Sequence, residues 1–167
     1  MSSGSADRVS GGVSGGGAPA RVLGVSGPAD HQQTDAAPVI VVGAAIVRDA
    51  RLLAQQRAFP EQLAGRWELP GGRVEPGESD RDAVVRECEE ELGVRVVVHD
   101  QVGPEVPLRH GRMVLRIYAA SLTEPEAVPV AREHRAVRWV EATEIPELDW
   151  LDADLALVPH LCDLLPA

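Results

Sequence analysis

The spacing of apolar residues changes along the chain, and the changes mark out its elements. Val39-Ile40-Val41-Val42 and Ala44-Ala45-Ile46-Val47 form an apolar, β-prone run that breaks near Asp49-Ala50-Arg51 and resumes at Leu52-Leu53-Ala54. This predicts a central strand, a turn and a second strand. Phe59 to Leu63 reads as a loop. Farther on the period lengthens: Ala83, Val84, Cys88 and Leu92 recur at three- and four-residue intervals, the stripe of a packed helix. Ser79 suits the N-cap of that helix, Asp80 and Asp82 suit the positive end of its dipole, and Gly93 supplies a left-handed stop. Val94 to Val98 and Arg112 to Ser121 read as strands, the second with period two at Met113, Leu115, Ile117 and Ala119. Gly103-Pro104-Glu105 and His110-Gly111 predict turns between them. Thr123 to Val130 is a loop rich in proline and acid, and Glu133 to Val140 ends in a short strand. Ala142 to Leu148 reads as a helical turn. From Trp150 a single C-terminal helix is expected, its stripe of Leu155, Leu157, Val158, Leu161, Leu164 and Leu165 packing on the sheet.

Composition divides the chain in two. Residues 1–37 hold half of the 16 glycines and no aromatic residue. Such a segment cannot bury enough surface to offset its conformational entropy, so a disordered extension is expected there and one domain over 38–167. A chain of 167 residues with 44% hydrophobic content supports one ordinary core. Its net charge of −10 argues against a nucleic-acid polymer or an anionic membrane as partner, since both call for a basic surface. A phosphorylated small molecule is still allowed, because cations can bridge an acidic site to a polyanion. Cys88 and Cys162 have neither metal-ligand nor redox spacing and are expected as reduced thiols. With no membrane-length apolar run and no signal-peptide layout, a cytoplasmic location is expected.

The candidate chemistry lies on the helix. Glu87, Glu90 and Glu91 are spaced i, i+3 and i+4, so their carboxylates share one face about one turn apart and repel. An acidic run of this kind is ordinarily a solvated face, and Arg81 and Arg86 are available to pair with it. The other reading is a site for a hard divalent cation, which binds carboxylate oxygens and keeps positions open for substrate phosphates. Gly71-Gly72 just upstream let the backbone pass close to a ligand.

Gly72, Glu78, Arg86, Glu87, Glu90, Glu91, Gly93 and Val94 stand in the register Gly-x5-Glu-x7-Arg-Glu-U-x-Glu-Glu-x-Gly-U, where U is a bulky aliphatic; Cys88 takes the first U place. This stretch resembles the Nudix box. The resemblance covers roughly residues 38 to 165 and implies the Nudix fold, an α/β arrangement with a mixed β-sheet sandwiched between helices. Trp67 to Gly72, Glu133 to Trp139 and Leu148 to Asp154 look most like the CTP pyrophosphohydrolase branch of MutT-like proteins. The implied reaction converts a nucleoside triphosphate and water to a nucleoside monophosphate and pyrophosphate, acting on CTP, dCTP or a modified cytosine nucleotide.

The same resemblance implies Mg²⁺, with Mn²⁺ as a substitute, held by Glu87, Glu90, Glu91, Glu133 and the Gly71 carbonyl. Glu87 is the first choice for general base, with Glu78 and Glu133 as further candidates, and Arg86 orients the glutamates. Arg57 matches an arginine that contacts substrate phosphate; by itself it reads equally as a solvated charge. Glu133 by itself is a solvated loop acid, and His134 is the alternative at that place. Asp154 matches the position presented to the nucleobase, although Asp152 or Asp154 can equally cap the last helix. An aspartate accepts hydrogen bonds and offers no donor, so it suits the amino group of cytosine or adenine and repels the O6 of guanine. His110 has no partner at ligand spacing and reads as a surface residue. Two further readings stand beside the first: hydrolysis of an 8-oxo-(d)GTP type of nucleotide, and a regulatory Nudix module that binds a nucleotide without turnover. The last is disfavoured because every box glutamate is present.

Overall fold

The computed structural model describes residues 37–166. The extension expected over 1–37 lies, apart from its last residue, outside the described residues. The sheet is built on β1 (Val39–Arg48), which runs parallel to β6 (Met113–Leu122) on one side. On its other side β1 pairs antiparallel with β4 (Gly71–Arg73) through Val41, Val42 and Gly43, and with β2 (Arg51–Gln56) through Val47 and Arg48. β2 carries β3 (Trp67–Glu68) and β7 (Ala136–Glu141), and β5 (Val96–Leu108) flanks β6. The sheet is therefore mixed, as expected.

The apolar run explains the central place of β1. Val42, Ala44 and Ile46 are fully buried on one face, against Ala83, Val84, Cys88 and Leu92 of α1 (Asp80–Leu92). Ala45 faces the opposite core, which Trp150, Leu157, Leu161 and Leu165 close from the C-terminal segment. Burying each such aliphatic side chain contributes about 1.5–3 kcal/mol. The turn into β2 is a two-residue connection at Asp49 and Ala50, with φ of 50° and 55°, the twist that two-residue hairpins require. Burial pushes the Cys88 thiol up to about 12, leaving it an inert packing group. Among the described residues both cysteines are free, and no helix is long and apolar enough to cross a membrane.

Four expectations are corrected. Gly103-Pro104-Glu105 is not a turn, because β5 continues through it with register shifts between Val98 and Gln101 and between Val102 and Val106. Gly103 takes φ of 66°, and proline is tolerated because β5 is an edge strand with irregular pairing. The C-terminal helix is also not single: α2 (Asp152–Leu155) and α3 (Val158–Asp163) are separate. Pro159, in the first turn of α3, has no N–H to continue a helix from Leu155 and suits a helix start instead. Leu155, expected in the packed stripe, is 52% exposed. Neither Asp152 nor Asp154 caps, the N-cap position being Leu151.

Candidate active site

Helix α1 begins as its sequence dictates. The Ser79 hydroxyl accepts from the Asp82 N–H at 3.1 Å, and Gly93 ends the helix in the left-handed region. The helix packs on β4, and a side chain on either glycine of that strand would collide with its neighbours. A Cβ on Gly71 would lie 2.1 Å from the Val42 carbonyl oxygen, and one on Gly72 would lie 2.2 Å from Glu87 Oε1. The Glu87 carboxyl thus occupies the space where the Gly72 side chain would stand.

Arg86 gathers the acids. Its Nε and Nη2 donate to the two oxygens of Glu78 at 2.9 and 3.0 Å, its Nη1 donates to Glu87 at 2.9 Å and Glu90 at 3.2 Å, and Nη2 also reaches the Arg73 carbonyl. Two charge-assisted bonds to one carboxylate fix orientation as well as charge. Glu78 further accepts from the Glu75 N–H, and its pKa is lowered, chiefly by Arg86. The guanidinium of Arg86 is itself held charged, first by its bond to Glu78.

The three helix glutamates share a ridge but not an environment. Glu90 is 55% exposed at its side chain, Glu87 14% and Glu91 10%. Sequence spacing predicted one acidic face; the grading arises because Glu91 turns under β2 and β4, where its Oε2 accepts from Gln55 Nε2 and from the Gly71 N–H, both at 2.9 Å. Loss of solvent pushes the Glu91 carboxyl up to about 7 and raises Glu87 as well, with Glu90 and Glu133 adding to the rise at Glu87.

Glu133 and His134 reach this place through the end of α1. The last carbonyls of a helix lack intrahelical donors. Here Val130 N–H meets Leu92 O at 2.9 Å, Arg132 N–H meets Glu91 O at 3.0 Å, and the Arg132 side chain meets Glu89 O at 2.9 Å. The loop is thereby docked on the helix terminus, and Arg135 N–H then joins Gln56 O at 2.7 Å and leads into β7. Glu133 is exposed, and its charge is felt by Glu87. His134 is buried between Glu68 and Glu91. Gln55 and Glu68 were not singled out from sequence, and the only available signal was a polar residue inside an apolar strand pattern.

At the other end of the site the half-buried Arg57 donates to Glu68 Oε2 at 2.5 Å and to the Phe59 carbonyl at 2.8 Å. Asp154 is 6% exposed, and its Oδ1 accepts from the Leu69 N–H at 3.2 Å. Burial pushes its carboxyl up to about 7, helped by the charge of Glu68. Asp152 is on the surface and pairs with Arg66 at 2.9 Å. His110 is exposed, as expected. Glu78, Arg86, Glu87, Glu90, Glu91, Gly71 and Glu133 are brought together around the start of β4 and the second half of α1. Arg57 and Asp154 meet Glu68 and Leu69 just before β4.

These residues suit a hard divalent cation. The donors are all oxygen, two of the carboxylates are desolvated and raised in pKa, and the two glycines leave the backbone uncovered beside them. Among the described residues no three acidic, histidine or cysteine side chains stand in coordinating geometry; the carboxylate oxygens are engaged by Arg86, Gln55 and Gly71 instead.

The NUDIX domain family matches residues 37–161. The chain is 47% identical over 125 residues to the "Putative 8-oxo-dGTP diphosphatase 2" of Mycobacterium tuberculosis, a match covering 73% of this chain and 86% of that protein. It is 36% identical over 118 residues to the CTP pyrophosphohydrolase of Escherichia coli K12, covering 71% and 87%. The solution structure of the E. coli ORF135 protein superposes with a TM-score of 0.64 at 33% identity, over 75% of this chain and 89% of that one. Nudix hydrolases generally use divalent metal ions, and every glutamate and glycine of the box is present here, with Cys88 in place of the first aliphatic. The chain belongs to the Nudix family and is a MutT-like hydrolase of phosphoric anhydride bonds.

Proposed function

We propose that the chain hydrolyses a nucleoside triphosphate to a nucleoside monophosphate and pyrophosphate with Mg²⁺, Mn²⁺ serving as a substitute, and that CTP or dCTP is its substrate. The observation that carries this is the pair of desolvated carboxylates, Glu87 and Glu91, set against the bare backbone of Gly71 and Gly72. Glu87, Glu90, Glu91, Glu133 and the Gly71 carbonyl would hold the cation. When bound, it supplies neutralisation of the phosphates and a water of lowered pKa. Glu87 accepts the proton of the attacking water: Arg86 holds its Oε1 and leaves Oε2 to take the proton. Glu78 is committed to Arg86 and Glu75, so it anchors the arginine and does not act as base. Arg86 keeps Glu87 and Glu90 in place, and Arg57 steadies the phosphates. Attack at phosphorus proceeds in line with the leaving group.

Asp154 sets the base, and its burial favours a second reading. Oδ1 is taken by Leu69, which leaves Oδ2 for the nucleobase. As a carboxylate that oxygen accepts from the amino group of cytosine; as an acid it donates to the O6 of an oxidised guanine. An ionised aspartate has no donor, whereas a carboxyl pushed up to about 7 populates both forms near neutrality. The function is tested by pyrophosphate release from a panel of NTPs, dNTPs, 8-oxo-dGTP and ADP-ribose with Mg²⁺. Fastest turnover of CTP or dCTP is expected, equal or faster turnover of 8-oxo-dGTP moves the assignment to the second reading, and no turnover by the folded protein refutes both. The CTP to 8-oxo-dGTP ratio should rise from pH 6 to pH 8, and Asp154→Asn should flatten that rise.

Asp154 also carries a stability consequence. Its folded pKa, about 7, lies above its ordinary value of 3.8, so between these values the folded state binds more proton and stability falls as pH rises. Above pH 7 the cost reaches at most about 4 kcal/mol. Asparagine can keep the bond from Leu69 without the charge. Asp154→Asn should therefore melt higher than the parent at pH 8 and nearly equal to it at pH 4; an equal melting point at pH 8 would count against a desolvated carboxylate.

A further inference from the structure

Glu68 and His134 lie beneath the box carboxylates and have no part in the roles assigned so far. Both are nearly closed off from solvent, their side chains 11% and 8% exposed. His134 Nε2 lies 2.7 Å from Glu68 Oε1, and the other oxygen of Glu68 is held by Arg57. On the opposite edge of the ring, His134 Nδ1 is buried with no hydrogen-bond partner and faces Glu91 Oε1 at 3.8 Å. The other oxygen of Glu91 is already taken by Gln55 and the Gly71 N–H. The groups thus form one line: Arg57, Glu68, His134, Glu91, then Gln55 and Gly71. A buried ring nitrogen without a partner is costly to keep, and the group it faces is the one oxygen of Glu91 with no protein donor.

Resting on the reading above, in which Glu91 holds the cation and Arg57 the phosphates, we propose that Glu68 and His134 form a buried strut that positions both. His134 grips Glu68 through Nε2 and backs the unbonded oxygen of Glu91 through Nδ1, while Glu68 fixes the Arg57 guanidinium. The cation end and the phosphate end of the site are thereby held at one separation by side chains that touch neither ligand. Groups that orient ligating residues are commonly worth 10–100-fold in metal affinity or activity. The local architecture agrees with this role: His134 arrives on the loop docked on the end of α1, and Glu68 on β3, so the strut ties helix to sheet across the site.

Two substitutions separate the ends. In His134→Gln the amide nitrogen replaces Nε2 and nothing replaces Nδ1; in Glu68→Gln the carboxylate that fixes Arg57 becomes neutral. Steady-state pyrophosphate release from CTP, the Mg²⁺ concentration giving half the maximal rate, and thermal melting are measured for parent and both variants. For His134→Gln, kcat is expected to fall and half-saturating Mg²⁺ to rise about 10-fold each, with KM within about twofold. For Glu68→Gln, KM is expected to rise about 10-fold with Mg²⁺ dependence unchanged. That crossed pattern is not what general loosening produces. The strut is refuted if neither parameter moves, if both move together in both variants, or if either variant loses cooperative melting, which would make it part of what holds the fold. Should the parent turn over no nucleotide, the reading of function has failed, and calorimetric Mg²⁺ binding alone decides the cation end: about 10-fold weaker uptake by His134→Gln supports the strut, and equal uptake refutes it.

Discussion

Glu87→Gln is expected to lower kcat by about 10²- to 10⁴-fold, the range for a group that takes a proton in the transition state. The amide keeps the shape that fills the space beside Gly72 and can still accept from Arg86 Nη1. It loses the proton-accepting oxygen and one charge toward the cation. Melting should hold or rise, because Glu87 is a desolvated carboxylate whose pKa is raised further by Glu90 and Glu133, and neutralising it removes an unfavourable charge. A large fall in kcat with melting unchanged isolates chemistry from folding. A kcat within a few-fold of the parent would move the proton to another carboxylate, with Glu133 next in line.

Gly72→Ala should also lower kcat strongly, without replacing an acid. The added methyl would stand 2.2 Å from Glu87 Oε1, and the atom that must yield is the mobile end of a side chain. The backbone can stay in place while the carboxyl swings away, so a loss of about 10²-fold in kcat is expected, the scale of an ångström of misplacement at a reacting group. Gly71→Ala makes the contrast. There the methyl would meet the Val42 carbonyl at 2.1 Å, and relief requires opening the pairing of β1 with β4, so melting temperature should fall first. Assaying rate and melting on both variants checks the division; a Gly72→Ala protein with parental kcat would contradict the placement of Glu87.

The parts of this protein that could be read from sequence are those whose physics is local. The β1 run is apolar at nearly every position because the strand is covered on both faces, and the stripe of α1 is regular because one flank packs. The Ser79 cap and the Gly93 stop act within a few residues of themselves. The box sets its acids in a fixed register, which is why Glu78, Arg86, Glu87, Glu90 and Glu91 can be picked out together from the sequence.

What was missed depends on contacts far apart in the chain. Spacing puts Glu90 and Glu91 on one ridge, yet only the arrival of β2 and β4 buries one and leaves the other in water. In sequence His134 is only a neighbour of Glu133; its partner Glu68 lies 66 residues away. By sequence Asp154 is a plain acceptor, and the burial that raises its pKa is a property of the packed segment around it. Gly103-Pro104 and Val158-Pro159 misled in opposite directions. The first looks like a turn and is absorbed by an edge strand, and the second sits in an apolar stripe and divides it.

In the function proposed above, the acidic ridge of α1 holds the divalent cations on which hydrolysis depends. The direct measurement is pyrophosphate release from CTP as Mg²⁺ is returned to chelator-treated protein, for the parent and for the double variant Glu87→Gln/Glu91→Gln. No release in chelator, recovery with Mg²⁺ in the parent, and none in the double variant at any Mg²⁺ concentration is the predicted result. Release that persists in chelator, or a double variant that follows the parental Mg²⁺ curve, would contradict it.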